Sequence, residues 1–309
     1  MQRFFTKELK KYCLNLGFDL FGVTLPRKSN FGEYFEKWLD KKYQADMSWL
    51  KKTETRNNPT LVLKDCKSIL ILGVSYFNRD YGDDEKNDNK RALIARYAWG
   101  DDYHLVLGEK MKQIQEWLNK QYSCNYLHKY YVDTGPILEK ELATWAGLGF
   151  MGKNTQLINQ NFGSYFFIAC LFTQIPFEQS TTKVVGGCGT CDKCIKACPT
   201  KALEEPYVLN ASKCLSYHTI ENKGIIPDEI KKAKKNRIFG CDICQEVCPW
   251  NKRAKITKMP DLRTKLRRDK LTIEQIKEMD INEYRRIFKK SAVKRAKFSG
   301  LKRNIEGLN

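Results

Sequence analysis

Eight of the twelve cysteines fall into two short runs, and their spacing constrains the fold more than any other feature. The first run is Cys188-x2-Cys191-x2-Cys194-x3-Cys198-Pro199. In this spacing three cysteines grip one 4Fe–4S cluster, and the fourth reaches a second cluster. The second run, aligned on its Cys-Pro end, is the same motif without its first cysteine: Cys241-x2-Cys244-x3-Cys248-Pro249. The sequence therefore predicts two 4Fe–4S clusters and a short electron relay.

Each cluster needs four thiolates, so the second run needs a replacement for its missing cysteine. Ile238 occupies that position, and Cys214 lies between the runs as the candidate. The crossing of ligands between clusters then assigns two sets. Group one is Cys188, Cys191, Cys194 and Cys248, and group two is Cys198, Cys214, Cys241 and Cys244.

Zinc is the alternative to iron, because paired C-x2-C motifs also form zinc sites. The complete pair of Cys-Pro-terminated runs favours iron–sulfur. The remaining cysteines are assigned no role, since a free cysteine usually behaves as a small buried hydrophobe. They are Cys13, Cys66, Cys124 and Cys170.

Hydrophobic periodicity predicts an α+β fold in three parts. Residues 1–180 are predicted to form an α/β domain with the active site, 181–255 a double-cluster domain, and 256–309 a basic helical tail. Helical patterns occur near residues 4–16, 31–43, 104–121 and 136–147, and strand-like runs at 68–76, 130–132 and 165–172. Residues 78–90 are polar and predict a surface loop.

The charge is strongly positive, at +19, and is concentrated near the C-terminus. Residues 251–309 hold 19 Lys/Arg against 7 Asp/Glu, a net of +12. Such an excess attracts nucleic acid, an anionic membrane surface or an acidic protein. Two basic groups are candidate contacts for phosphates, although charge runs are usually solvated helix faces. They are Lys231, Lys232, Lys234, Lys235 and Arg237, and Lys289, Lys290, Lys294 and Arg295.

The longest apolar runs are far too short to span a bilayer, and no signal peptide or twin-arginine signal is evident. We therefore expect a cytoplasmic, monomeric protein with no membrane partner.

Several further motifs resemble one family, the epoxyqueuosine reductases of tRNA modification. The stretches 96–104 (RYAWGDDYH), 132–136 (VDTGP), 146–155 (AGLGFMGKNT), 214–221 (CLSYHTIE), 240–251 (GCDICQEVCPWN) and 300–304 (GLKRN) carry the resemblance. It runs from about residue 47 to 304. Departures from the family pattern are Gly135 for alanine, Phe150 for tryptophan and Lys302 for arginine.

The resemblance implies reduction of epoxyqueuosine to queuosine at the wobble position of tRNA. It implies cobalamin and two 4Fe–4S clusters as cofactors, a nitroreductase-like N-terminal domain and a ferredoxin-like cluster domain. The implied partners are the anticodon arm of a tRNA bearing epoxyqueuosine and an external low-potential electron donor. No DxHxxG motif is present to supply a histidine to cobalt, and the only histidines are His104, His128 and His218.

Asp133 matches the position of the family's proton donor. The alternative is that Asp133 caps a helix beginning near Pro136, as aspartate often does. As an acid near pH 7, Asp133 would need a raised pKa or protonation coupled to substrate binding.

Other family-like positions are implied cobalamin contacts, although each side chain could instead be structural. They are Arg56, Tyr97, Asp133, Asn154, Ser216, Cys241 and Asp242. Asp102 and Tyr103 are candidate substrate contacts, or simply the first turn of a helix.

Two other functions compete with the tRNA reductase. A cobalamin-dependent reductive dehalogenase has a similar domain plan, but many carry an export signal and none needs a basic tail for tRNA. A ferredoxin-type electron carrier would explain the clusters, but not the N-terminal 180 residues with their VDTGP and GKNT motifs.

Overall fold

The computed structural model describes residues 6–122 and 126–308. The strands are β1 (Leu20–Thr24), β2 (Ser68–Ser75), β3 (Leu93–Ile94), β4 (His128–Val132), β5 (Phe150–Met151), β6 (Leu157–Ile158), β7 (Phe166–Thr173), β8 (Leu203–Glu205), β9 (Val208–Leu209) and β10 (Arg237–Phe239). The helices of the N-terminal half are α1 (Lys7–Asn15), α2 (Gly32–Asp40), α3 (Glu54–Asn57), α4 (Asp83–Asn87), α5 (Tyr103–Tyr122) and α6 (Glu139–Trp145). Those of the C-terminal half are α7 (Lys193–Ala197), α8 (Leu215–Ile220), α9 (Asp228–Lys234), α10 (Ile243–Glu246), α11 (Ile273–Glu278), α12 (Ile281–Ile287) and α13 (Lys297–Ile305).

An antiparallel sheet of order β1-β2-β7-β4 divides the hydrophobic interior in two. Strand β2 is buried along its whole length, so alternate side chains face opposite cores. Leu70 and Leu72 face the larger core with α5, whereas Ile69 and Ile71 face the smaller core with α6. Because β4 is the last strand of this order, the residues that follow it lie at the margin of the sheet.

The basic C-terminal segment packs into the larger core rather than projecting from it. Ile276 on α11, Phe288 after α12 and Leu301 on α13 are almost completely buried in the core that contains Leu70 and Leu107. Most charged side chains of this segment are exposed on its outer face, whereas Arg268 and Asp269 are buried. The predicted boundary at residue 256 stays a prediction, but the tail shares its core with the N-terminal half.

The cysteine-rich region is joined to both flanking segments. Strand β10 pairs in parallel with β3. Asn304, which is fully buried, donates from Nδ2 to the carbonyl oxygens of Thr219 and Ile238 at 2.8 Å each. Arg303 donates to the carbonyl oxygens of Asn222 and His218. The motif at residues 300–304 therefore fastens α13 to the cysteine-rich region.

The predicted mixture of helices and strands is confirmed, and the long elements lie where the periodicity placed them. Residues 78–90 differ from the prediction of a loop, because α4 forms within them. Cys124 lies outside the described residues. In the described ranges we find no helix with the length and apolarity that crossing a membrane requires.

Candidate cluster sites and active site

Group one surrounds a small cavity. Cys188, Cys191, Cys194 and Cys248 all line it, together with Lys153 and Trp250. Burial raises the pKa of the Cys194 thiol, and negative charge on Cys188 and Cys248 raises it further. The last cysteine of the second run therefore joins three cysteines of the first, as the crossing of ligands requires.

Group two is assembled by the same crossing in the opposite direction. Burial, and then charge on Cys214, raise the pKa of Cys241 to about 12. Burial also raises the pKa of Cys214, and Cys198 adds to that shift. The pKa of Cys244 is raised well above its usual value, first by burial and then by Cys241 and Cys214. Iron would offset these costs, because a coordinating thiol is deprotonated outright.

The spread of the thiols bears on the zinc alternative. Among the described residues, no three His, Cys, Asp or Glu side chains approach closely enough to hold a single metal ion. A zinc ion draws its sulfur ligands to about 2.3 Å, whereas a cubane holds its thiolates on four separate iron atoms. The sets of four therefore suit a cluster better than one ion.

The loop between β5 and β6 packs against both groups. The backbone N–H of Lys153 donates to Cys188 Sγ at 3.4 Å, and its Nζ donates to the carbonyl oxygens of Gly189 and Cys191 at 2.7 and 3.0 Å. The neighbouring Asn154, which is buried, donates from Nδ2 to the carbonyl oxygen of Cys244 at 3.2 Å. Hydrogen bonds to cluster sulfurs tune reduction potential, so this loop can set the properties of the relay.

Asp133 directly follows β4 and adopts the left-handed conformation, with φ +61°. Such a conformation is uncommon outside glycine, although aspartate adopts it more readily than most residues, and residues held in it cluster at functional positions. Tyr103 OH donates to Asp133 Oδ2 at 2.7 Å, and His104 Nε2 lies 3.5 Å from the same oxygen. Helix α6 begins only at Glu139 and has no side-chain cap. The alternative that Asp133 caps this helix is therefore wrong.

A general acid must carry a proton at the working pH, whereas the surroundings of Asp133 favour its carboxylate form. Removal from bulk water acts to raise the pKa of Asp133, but the nearby His104 and the hydrogen bond from Tyr103 outweigh it and leave the pKa below its usual value. Desolvation acts to lower the pKa of His104, yet Asp102 and Asp133 raise it to about 9. Asp102 Oδ1 accepts from His104 Nδ1 at 2.7 Å. At neutral pH the mobile proton therefore resides on His104.

Asp133 lies in a recess rather than on an open surface. Its side chain is 57% exposed, yet it is strongly desolvated, which requires protein on most sides of a solvent-filled hollow. Tyr97 and Glu139 combine partial exposure with strong desolvation in the same way. Charge on Asp133 and on Asp242 raises the pKa of Tyr97. The centroid of the Tyr97 ring lies 6.0 Å from that of Tyr103 and 5.9 Å from that of Phe239, so Tyr97 connects the Asp133 side of the recess with the loop that carries group two.

Glu139 and Arg56 lie beside this recess. Burial, and then charge on Asp133, raise the pKa of Glu139 to about 7. Arg56 is buried and donates from Nη1 to the carbonyl oxygen of Lys52 at 2.6 Å. Arg56 is therefore a buried side chain held by a backbone acceptor rather than a member of a surface ion pair.

Asp242 is bound to a buried arginine that sequence reasoning missed. Its Oδ2 accepts from the backbone N–H of Arg96 at 2.8 Å and from Nη1 at 3.0 Å, and Glu246 completes the cluster at 2.8 Å. Arg96 is 1% exposed. This network joins the RYAWGDDYH segment to the loop of group two. Ser216, two residues after Cys214, lies on α8 and is half-exposed.

The candidate RNA-binding residues differ in their availability. Lys234 is 1% exposed, and its Nζ donates to the carbonyl oxygen of Asn304. The prediction that Lys234 contacts phosphate is therefore wrong, because a buried ammonium cannot reach RNA. Arg295 pairs with both oxygens of Glu221 and lies over the Trp49 ring at 5.2 Å. The exposed members of the two groups are Lys232, Lys235, Lys289, Lys290, Lys294 and Arg295, and Lys231 and Arg237 are half-exposed.

An open groove lies beside part of the second basic group. It is lined by Ile281, Tyr284, Arg285, Lys294, Lys297, Phe298 and Ser299. Lys294 also connects this groove with the active site, because its charge acts on Asp102, whose backbone N–H donates to the carbonyl oxygen of Lys290. The groove thus combines cations and aromatic rings close to the recess.

Sequence reasoning missed His104, Lys153, Glu139 and Arg96. His104, Lys153 and Arg96 all lie within the quoted family-like stretches, so their place beside the named candidate residues was the available signal. Nothing in the sequence signals that Glu139 lies beside Asp133.

Comparisons with known proteins agree with this arrangement. The family described as "Epoxyqueuosine reductase QueG, DUF1730" matches residues 56–134, and the 4Fe-4S double cluster binding domain matches residues 187–251. An epoxyqueuosine reductase of Cellulophaga algicola is 37% identical over 311 residues, covering 97% of this chain and 96% of the relative.

Solved structures of epoxyqueuosine reductases have the same fold. One with an epoxyqueuosine-modified tRNA-Tyr stem loop superposes with a TM-score of 0.85 at 30% identity, covering 97% of this chain and 79% of the other. A Bacillus subtilis structure, with its catalytic aspartate loop swung out of the active site, gives a TM-score of 0.84 at 28% identity with the same coverages. On the full-length likeness of sequence and structure, this chain belongs to the epoxyqueuosine reductase family.

Proposed function

We propose that this protein reduces the epoxide of epoxyqueuosine in tRNA to the alkene of queuosine. The observation that carries the proposal is Asp133, held by Tyr103 and His104 in a recess that extends towards group two. The recess combines a source of protons with an adjacent set of cluster ligands, which a reductive loss of oxygen requires. A tRNA substrate would place the reaction in the cytoplasm.

Cobalamin is the second cofactor implied by the family, and the recess offers a partly desolvated hollow for it. Arg56, Tyr97, Asp133, Asn154, Ser216, Cys241 and Asp242 would hold it. The histidines fit a cofactor without a histidine ligand: His128 contacts Thr173 and Asn119, His218 contacts Ser212 and Asn222, and His104 faces Asp133. When bound, cobalamin and the clusters supply the two electrons of the reduction at low potential.

The chain itself manages the proton. Expulsion of an oxygen from carbon is costly unless the oxygen is protonated, and a positioned acid typically gives about 10²–10⁴-fold. Asp133 carries that proton to the epoxide oxygen, and Tyr103 orients the carboxylate through Oδ2. Asp102 and Tyr103 stand at the start of α5, where they border the space beside Asp133.

The groove beside α12 and α13 is proposed to bind the tRNA backbone. Arg285, Lys294 and Lys297 supply cations, and Tyr284 and Phe298 supply rings. Lysine and arginine contacts to phosphate dominate affinity for nucleic acid, and aromatic rings stack on splayed bases.

Group one is proposed to receive electrons from an external donor. Its cavity is lined by Lys153 and Lys193, and residues 181–187 beside it are exposed. A small acidic electron carrier would suit this surface, because opposite charge steers transient encounters. The expectation of a monomer stays a prediction.

The test is anaerobic reconstitution with iron, sulfide and cobalamin, followed by reaction with tRNA that bears epoxyqueuosine and a strong reductant. Mass spectrometry of the nucleosides should show loss of one oxygen, dependent on cobalamin and reduced about 10²–10⁴-fold by Asp133→Asn. Bound cobalamin without turnover would indicate a different reducible substrate. Absence of cobalamin binding would leave an electron carrier.

The groove is tested separately by tRNA binding at several salt concentrations. Arg285→Ala combined with Lys297→Ala should weaken binding and lower the salt slope by about two, one for each lost phosphate contact. Lys7→Ala with Lys10→Ala on the exposed side of α1 is the matched control for charge. An unchanged slope in the groove variant would remove the groove from the RNA footprint.

A further inference from the structure

The reaction proposed above makes a demand that Asp133 alone does not meet. Breaking both C–O bonds of an epoxide to leave an alkene consumes two electrons and releases the oxygen as hydroxide once one proton is delivered. A second proton from solvent then gives water. The proton delivered at the breaking bond has to be present in the site before the reaction, yet Asp133 rests as a carboxylate because His104 and Tyr103 stabilise its charge.

His104 is the group placed to hold that proton. Its Nε2 is buried, lacks a hydrogen bond of standard geometry and lies 3.5 Å from Asp133 Oδ2. Its Nδ1 is fixed by Asp102 at 2.7 Å, which also accepts from the backbone N–H of His104 at 3.1 Å. The ring is stacked on Tyr103 with centroids 4.1 Å apart. One nitrogen is thus anchored, and the other faces the carboxylate.

We propose that His104 stores the proton of the resting enzyme and transfers it from Nε2 to Asp133, which passes it to the departing oxygen. His104 is therefore a positioning residue that supplies the acid rather than touching the substrate. The N–H bond of His104 breaks as the O–H bond of Asp133 forms, and solvent restores the proton after turnover. The identity of the substrate in this inference rests on the proposed function. The location of the stored proton on His104 does not depend on it.

Charges around the pair favour this arrangement. Asp102 and Asp133 both stabilise the imidazolium, so two carboxylates face one cation. Binding of a substrate that excludes water from the recess raises the cost of the Asp133 charge, which drives the proton across. The other titratable or charged groups that act on the pair are Lys140, Glu139, Tyr97 and Tyr103 near Asp133, Arg295 near Asp133, and Lys294 near Asp102.

Glu139 is the competing proton store, since its pKa is raised to about 7 by burial and by Asp133. Among the contacts of the described residues, however, Glu139 has no hydrogen bond to Asp133, whereas His104 Nε2 is at ion-pair distance. Transfer requires hydrogen-bond distance, about 2.6–3.2 Å, and His104 Nε2 at 3.5 Å needs only a small movement to reach it.

The first test needs no turnover. With only three histidines in the chain, ¹⁵N-histidine NMR of the holoenzyme can follow each ring through a pH titration. His104 should stay an imidazolium through pH 8 and lose its proton near pH 9, whereas His128, whose burial lowers its pKa to about 4, should be neutral at pH 6. Asp102→Asn and Asp133→Asn should each lower the titration midpoint of His104. A midpoint at or below its ordinary 6.5 would overturn the proposal.

The second test uses the rate. His104→Gln should lower kcat by about 10²-fold or more with little change in KM, and His128→Gln should match the wild type. In the wild type kcat should fall as pH rises through about 9, because His104 then loses the stored proton. In Asp102→Asn the loss should begin at lower pH and be restored by acidification, which a structural defect would not show. Full activity of His104→Gln with a loss in Glu139→Gln would assign the store to Glu139 instead.

Discussion

The two cysteine groups are built from the same motif but lie in different surroundings. Group one borders exposed chain and two lysines, Lys153 and Lys193. Group two is more deeply desolvated, as the raised pKa values of Cys241 and Cys244 show, and it adjoins the buried Asp242. Charge on Cys194 also acts on Cys244, so the groups are neighbours. The difference shows that closely related cysteine runs can place one group of ligands beside exposed chain and the other in desolvated surroundings.

The strongest test of this comparison is to remove one ligand from each group in turn. Cys244→Ser should abolish turnover with every reductant, because group two is the proposed last step of the relay before the recess. Cys188→Ser should abolish turnover with a protein donor. It should retain part of the turnover with a small chemical reductant that can reach group two directly.

Iron content and EPR spectra of both variants would verify that one cluster remains in each. Equal loss of turnover with both types of reductant in the Cys188→Ser variant would contradict an outer position for group one.

A smaller effect is expected on the recess side from Gly135, which stands where the family pattern has alanine. A Cβ at this position would lie 2.4 Å from Cγ of Tyr131 and 2.7 Å from its Cβ, which are not flexible ends of the side chain. Gly135→Ala should therefore displace the segment that carries Asp133, at a cost of about 1–3 kcal/mol in unfolding free energy, and lower kcat.

Gly187→Ala is the matched control, because no atom lies within 4 Å of a Cβ added there. Chemical denaturation and steady-state rates would separate the two variants. If Gly135→Ala keeps both stability and kcat, Tyr131 does not constrain the Asp133 segment.

The smallest effect is expected from Lys153, in the β5–β6 loop that packs against group one. Lys153→Ala removes two hydrogen bonds from Nζ to the Gly189 and Cys191 carbonyls but keeps the backbone bond to Cys188. We expect about 1–3 kcal/mol less stability and faster loss of iron from group one only, measured by cluster absorbance during chelation.

Lys196→Ala is the control for that experiment, since the Lys196 side chain is 77% exposed and its ammonium pairs at the surface with Asp192. Equal iron loss in the two variants would mean that the Lys153 contacts do not protect the cluster.

Much of this arrangement follows from local sequence. The cysteine spacing predicts both ligand groups, and the runs of apolar residues predict β2 and β7, because these signals act over a few residues. Other features depend on contacts distant in sequence. His104 and Asp133 are brought together by packing of α5 beside β4, and Glu139 gains its raised pKa only from the enclosing protein. Lys234 shows the converse, as a lysine in a charged run that the fold buries.

The shared core of the two chain ends has a consequence for how clusters are loaded. The chain leaves the larger core after Phe177, returns to it at Ile238 and Phe239, and returns again at Met259, so each cysteine run lies in a loop closed at both ends by the same hydrophobic interior. The entropy of closing a loop grows only slowly with its length, so the core can form with both loops in place. Cluster assembly can then proceed on a chain whose ends are already joined, and the cysteines of both runs are held at a high local concentration for iron and sulfide to bring together.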